Sequence, residues 1–193
     1  NNNPRYHTYS QSTGTWTASG NVFATPPGNA LSKIEWLKLV SRRGDDTIAL
    51  LYSDSYSDFF AMIWNGTSWE ESNSENMFTT ALEIRNPRNW DAAFESNSGD
   101  LFVAWGRNAA DYTWYATYQS TGNTWSGNSS YDVSVDSKRP RYLRVAADPA
   151  SDRIALAMIN QDSDDLNAAM WTGSAFEDQT DLNDDIEAYD YID

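Results

Sequence analysis

The chain is built from an internal repeat of about 53 residues, and this constrains its fold more than any other feature. Three apolar segments follow acidic turns: TIALLYS after Asp45 and Asp46, LFVAWG after Gly99 and Asp100, and RIALAMIN after Ser151 and Asp152. A second series places a turn glycine before an aromatic: Gly14 with Trp16, Gly66 with Trp69, Gly122 with Trp125, Gly173 with Phe176. Longer echoes skip one unit: QSTG recurs 108 residues on, and AMIWNG near Trp64 returns as AAMWTG near Trp171.

Each unit reads as four short strands. Strand A precedes the acidic turn (34–40, 89–95, 141–147), and strand B is the apolar run after it. Strand C is FFAMIW, YTWYATY or LNAAMW, and strand D carries the aromatic of the glycine turn. β-branched and aromatic enrichment, lengths of five to seven and Asn-Gly or Ser-Gly punctuation favour strands, and no segment sustains a helical period. The near-continuous apolar character of strand B points to burial on both faces. The polar stretches 71–80 and 126–137 then read as connections.

Four-stranded antiparallel units at this spacing predict an all-β fold, a β-propeller, with an evenly spaced β-sandwich as the alternative. The units run 5–18 (strands C and D alone), 33–72, 88–127 and 141–178, with a final strand at 186–192. That makes about 3.6 blades, either a four-bladed ring or part of a larger propeller.

Composition narrows the class. With 193 residues, nine Trp, 11 Tyr and 7 Phe, the chain can bury a core, and its zero cysteines exclude a disulfide scaffold, a thiolate metal site and a thiol nucleophile. The longest apolar run, FFAMIW, is far too short to span a bilayer. A net charge of −15 repels phosphate backbones and argues against nucleic acid as a partner. Asp dominates the acids, and Lys33, Lys38 and Lys138 are the only lysines, a balance that fits an exported acidic protein or a salt-adapted surface. The start at Asn1, without a Met or an apolar signal core, is expected of a processed or trimmed piece.

The glycine turns resemble the Asp box of sialidase-type propellers, a hairpin between the two outer strands. Gly122-Asn123-Thr124-Trp125 and Gly66-Thr67-Ser68-Trp69 match its second half, and Gly14-Thr15-Trp16 matches one residue short. The aspartate that names the box is absent, its place held by Ser12, Trp64, Ser120 and Trp171. A closer likeness is to secreted bacterial repeat proteins whose blades carry stretches like NWDAAFESNSGDLFVAW and DLNAAMWTGSAF. That resemblance implies a non-catalytic, secreted or surface module.

Candidate sites follow from these units. Rings recurring in each outer hairpin, Trp64, Trp69, Tyr118, Trp125 and Trp171 beside Tyr9 and Trp16, suit either packing or stacking on sugar C–H faces. The packing reading expects Trp69 and Trp125 to be buried. Asp91 and Glu95 on one strand A are the carboxylate pair a glycosidase would need, and Arg88, Asp91, Arg141, Arg144 and Asp190 would line a central channel. The more economical reading makes them solvated channel residues. His7 has no partner for a triad or a zinc site. Asp-rich loops at 54–58 and 162–165 have calcium-type ligands but no complete frame, so no metal, cofactor or catalytic residue is assigned. Arg43-Gly44-Asp45 reads as ordinary turn chemistry, and Asn65 and Asn128 head glycosylation sequons.

These features predict a non-enzymatic structural or adhesive module of an extracellular assembly, self-associating or joined to the remainder of a longer surface protein. The alternatives are a glycan-binding propeller and a sialidase-like glycoside hydrolase. The tail 184–193, acidic with apolar Tyr189, Tyr191 and Ile192, suits docking of one face.

Overall fold

A computed structural model describes residues 3–23, 32–70, 77–79, 82, 89–108, 111–133, 138–160 and 164–183. Every regular element among them is a β-strand, and all pairing is antiparallel. None of them forms a helix able to cross a membrane.

The N-terminal segment is a broken hairpin. Strands β1 (Arg5–Tyr6) and β2 (Tyr9–Ser10) run out, and β3 (Thr15–Trp16) and β4 (Gly20–Asn21) run back, with β2 on β3 and β1 on β4. The first full sheet orders β5 (Ile34–Ser41), β6 (Thr47–Asp54), β7 (Phe59–Asn65) and β8 (Met77–Thr79) as a meander. The second consists of β9 (Trp90–Phe94), β10 (Leu101–Gly106) and β11 (Thr113–Gln119), with β12 (Thr124–Trp125) and β13 (Ser129–Tyr131) both paired to β11. The third is β14 (Pro140–Ala147), β15 (Ile154–Asn160), β16 (Leu166–Trp171) and β17 (Phe176–Asn183).

The predicted strands A, B and C are all present within a residue or two. The stretches read as connections hold β8, Met-Phe-Thr, and β13, Ser-Ser-Tyr, short strands that pair with β7 and β11. As expected, β10 is buried on both faces and β6 nearly so, but β15 departs from the expectation, with Ala155 exposed and Ala157 half-exposed on one face. The final strand expected at 186–192 lies outside the described residues.

Register makes the repeat exact. The first hairpin pairs Ser41 with Ile48, the second Phe94 with Leu101 and the third Ala147 with Ile154, each 53 residues after the last. Sheets pack face to face in chain order. Ala49, Leu51, Ala61 and Ile63 of the first sheet bury against Ala92, Val103 and Tyr118 of the second. Phe102 and Ala104 of the second bury against Leu143, Ile154 and Leu156 of the third. Every sheet therefore has an entrance face toward the preceding unit and an exit face toward the following one. Fully buried Trp105 and Phe102 sit in the two seams, and each fully buried side chain of that size is worth about 2–3 kcal/mol.

Polar ties lock the seams. Asn97 and Ser98 amides donate to Asp152 Oδ1 at 2.7 and 2.9 Å, and the Ser96 hydroxyl donates to the Asp148 carbonyl, so the A–B turns of the second and third sheets are joined.

Candidate functional site

The N-terminal hairpin is the outer half of a unit. Tyr9 faces Trp16 as Tyr118 faces Trp125, with ring centroids 5.2 Å apart in both pairs. The Thr8 amide donates to Thr17 Oγ1 as the Thr117 amide donates to Ser126 Oγ. In the second sheet, however, β11 is also paired on its other edge by β10. Among the described residues no strand pairs the other edge of β1 or β2.

The hairpin covers only part of the first sheet's entrance face. Tyr6 packs edge-on against Trp64 and Trp69, while Val22 and Phe23 cover Tyr52 and Phe60. Beyond them lies an apolar cleft of about 640 Å³, walled by residues 4–8 and floored by Leu37, Leu39, Ile48 and Leu50. The repeat says what belongs there. Leu37 corresponds to Trp90 and Leu143, and Leu39 to Ala92 and Val145, in the 53-residue register. Leu37 is 61% exposed, whereas Trp90 is 5% and Leu143 0% exposed. The preceding sheet covers the latter two, and among the described residues no sheet stands in that place before the first one.

The first strand of each sheet carries a charged residue at one equivalent position: Lys38, Asp91 and Arg144. Asp91 is buried, is ion-paired with the half-exposed Lys38 and accepts the Val145 amide at 2.9 Å. Its other close donor is the Ala92 amide at 3.0 Å. Glu95 is turned elsewhere: Oε1 accepts from Trp171 Nε1 at 2.7 Å and Oε2 from Ser98 Oγ at 2.5 Å. Burial holds the Glu95 carboxyl above its usual range, with Asp152 and Asp100 adding to the rise against the lowering by those two hydrogen bonds. Asp91 thus reaches both neighbouring sheets, through Lys38 and Val145, whereas Glu95 bonds Trp171 of the third sheet. Arg141 pairs with Asp164 at 2.8 Å, and Arg144 donates to the Leu143 carbonyl. Arg88 and Asp190 lie outside the described residues.

The five rings proposed for ligands are spread over three sheets. Trp64 and Trp69 sit 5.6 Å apart, half-buried on the first sheet's entrance face. Tyr118 is buried and donates from its hydroxyl to Glu70 at 2.6 Å, beside half-buried Trp125. Trp171 is buried against Phe102. Trp69 and Trp125 are therefore less enclosed than the packing reading expects, because both lie at the outer ends of their seams. The exposed member of the series is the N-terminal pair: Tyr9 is 52% and Trp16 68% exposed.

Of the remaining sequence features, Asp54 is buried and its carboxylate accepts the amides of Tyr56, Asp58 and Ser32, which shapes the B–C turn. Residues 162–163 of the other acidic loop lie outside the described residues. No cluster of three or more potential metal ligands occurs among the described residues. Within Arg43-Gly44-Asp45, Arg43 donates to the Pro149 carbonyl and Asp45 pairs with Arg42, which holds the Asp45 carboxyl down at about 2. His7 Nδ1 bonds the Thr17 carbonyl at 2.8 Å at the rim of the cleft. Asn65 and Asn128 are exposed, Asn65 capping its turn through the Thr67 and Ser68 amides.

Comparison with protein-family models and with curated proteins finds no match.

Proposed function

We propose that this chain is a non-enzymatic β-propeller module of an extracellular or cell-surface assembly. Its incomplete first unit is the site where other polypeptide docks. The observation that carries this reading is the contrast between Leu37 and its repeats Trp90 and Leu143. A position buried in two units and open in the third is a surface made to be covered. Two features of the cleft agree on the occupant. Its wall offers the backbone edge of β1 and β2, and its floor offers alternate apolar side chains of β5 and β6. The occupant is therefore a strand hairpin with apolar residues at alternate positions, added by edge pairing. The likeness to secreted repeat proteins supports the extracellular setting, and the −15 charge keeps such a module soluble before it assembles.

A second reading, glycan binding, draws on Tyr9 and Trp16, the exposed ring pair. Their twin Tyr118–Trp125 is covered by a sheet, so the docking reading explains both pairs at once.

Light scattering on the wild type and on the Leu37→Ser/Leu39→Ser variant tests the proposal. Assembly mass in the wild type that drops in the variant, with thermal stability kept, supports it. A wild type that stays at 21.7 kDa in every condition and binds no strand peptide refutes it.

A further inference from the structure

Units alternate in kind along the chain. The N-terminal hairpin and the second sheet carry a Tyr–Trp pair, whereas the first and third sheets carry Trp64–Trp69 and Trp171–Phe176, each with its turn glycine at φ 95°. One junction of the second kind onto the first lies inside the molecule, where the exit face of the first sheet receives Tyr118 and Trp125. There Ala49, Leu51, Ala61 and Ile63 are buried under Tyr118 and its neighbours, and Glu70 accepts the Tyr118 hydroxyl.

The third sheet presents the same exit face, and no buried cluster among the described residues includes it. In register, Ala155 stands for Ala49, Ala157 for Leu51, Ala168 for Ala61, Met170 for Ile63 and Glu177 for Glu70. Ala155 is exposed and Ala157, Ala168 and Met170 are half-exposed, while Ile154, Leu156 and Met158 of the opposite face are buried. Glu177 uses Oε1 for Arg153 at 2.8 Å. The matching Tyr–Trp surface is the exposed pair Tyr9 and Trp16.

We infer that the exit face of the third sheet docks on Tyr9 and Trp16 of a second copy, head to tail, reproducing the internal junction between the first and second sheets. The inference rests on the docking reading above and names a partner at the opposite side of the same incomplete unit. Tyr9 donates its hydroxyl to Glu177 of the next copy as Tyr118 donates to Glu70, and Met170 and Ala155 take the place of Ile63 and Ala49 under the ring. Such a contact is heterologous, so it propagates into an open filament unless its rotation closes. Two chains of charge −15 repel, so screening by salt strengthens this apolar contact.

The chain contains no cysteine, so introduced thiols report cleanly. Tyr9→Cys and Glu177→Cys chains are mixed and treated with a short bismaleimide, and the double variant is treated alone at high dilution. Cross-links between the two single variants, rising with salt, are expected, together with at least a tenfold weaker association of Trp16→Ala and of Ala155→Glu in sedimentation velocity. A double variant that cross-links only within one chain at high dilution would overturn the second copy as partner, in favour of ring closure. Association abolished by Leu37→Ser/Leu39→Ser but untouched by Trp16→Ala and Ala155→Glu would overturn this junction and leave the docking reading standing. Cross-linking that survives Leu37→Ser/Leu39→Ser unchanged supports the junction and removes the cleft as its cause.

Discussion

The carboxylate of Asp91 accepts a hydrogen bond from the Val145 amide at 2.9 Å while holding the ammonium group of Lys38, so one buried side chain joins the first strands of three consecutive sheets. Removing it leaves the Val145 amide without its acceptor in a seam between β9 and β14. Asp91→Ala is expected to cost about 1–3 kcal/mol, the desolvation of an orphaned donor. Lys38 is half-exposed and recovers water, which keeps the loss below that of a fully buried ion pair. Asp91→Asn, which retains an acceptor, is expected to lose less than half as much in urea unfolding.

Gly106 ends β10 where the chain of the third sheet passes close by. A Cβ there would stand 2.9 Å from the Pro140 carbonyl oxygen and 3.1 Å from Asn89 Nδ2. The obstacle is backbone and cannot swing aside, so Gly106→Ala is expected to destabilise by about 1–3 kcal/mol. Calorimetry would show a lowered melting temperature, and an unchanged one would mean that the seam is looser than its geometry.

Equivalent leucines should respond unequally. Leu143→Ala empties a closed seam and is expected to cost about 2–5 kcal/mol. Leu37→Ala, on the open face, is expected to cost under about 0.5 kcal/mol in dilute solution. Measured under assembling conditions, the Leu37 cost should rise. Equal costs in dilute solution would mean the face is already covered.

Glu95 gives the fold a pH dependence. Its carboxyl titrates above the unfolded value of 4.5 because burial disfavours the charge. Its contribution to stability is therefore complete below that unfolded value and is lost as pH rises through the higher folded one. Glu95→Gln cannot ionise and still accepts from Trp171. Its urea midpoint relative to wild type should climb as pH rises above that unfolded value, and a difference that falls would reverse the sign argued here.

Much of this fold is written in residue order, and the parts that are not have a common cause. Strands β6, β10 and β15 are legible because apolar runs bounded by acidic turns return at a fixed spacing. Strand β13 is not: Ser129 and Ser130 are exposed to water, where no burial selects an apolar pattern. Strand β17 shows both, since Phe176 keys the seam and the residues after it are exposed and, Leu182 apart, polar. The aromatic recurrence was visible as well, but Trp16 and Trp125 are the same residue in the same hairpin, and only the presence of a neighbouring sheet separates them. The charged row Lys38, Asp91 and Arg144 had a readable signal, three charged residues spaced by 53 at one position of the repeat. Its meaning needed the seam geometry, because a lone strand does not disclose that its carboxylate reaches two neighbours.

The docking face is tested most directly by hydroxyl-radical footprinting of Leu37 and Leu39 across a range of protein and salt concentrations. The account predicts strong oxidation of both side chains in dilute chains and progressive protection as assembly proceeds, with Leu143 protected throughout. Oxidation of Leu37 and Leu39 that stays at its dilute level while the mass of the particles grows would contradict it.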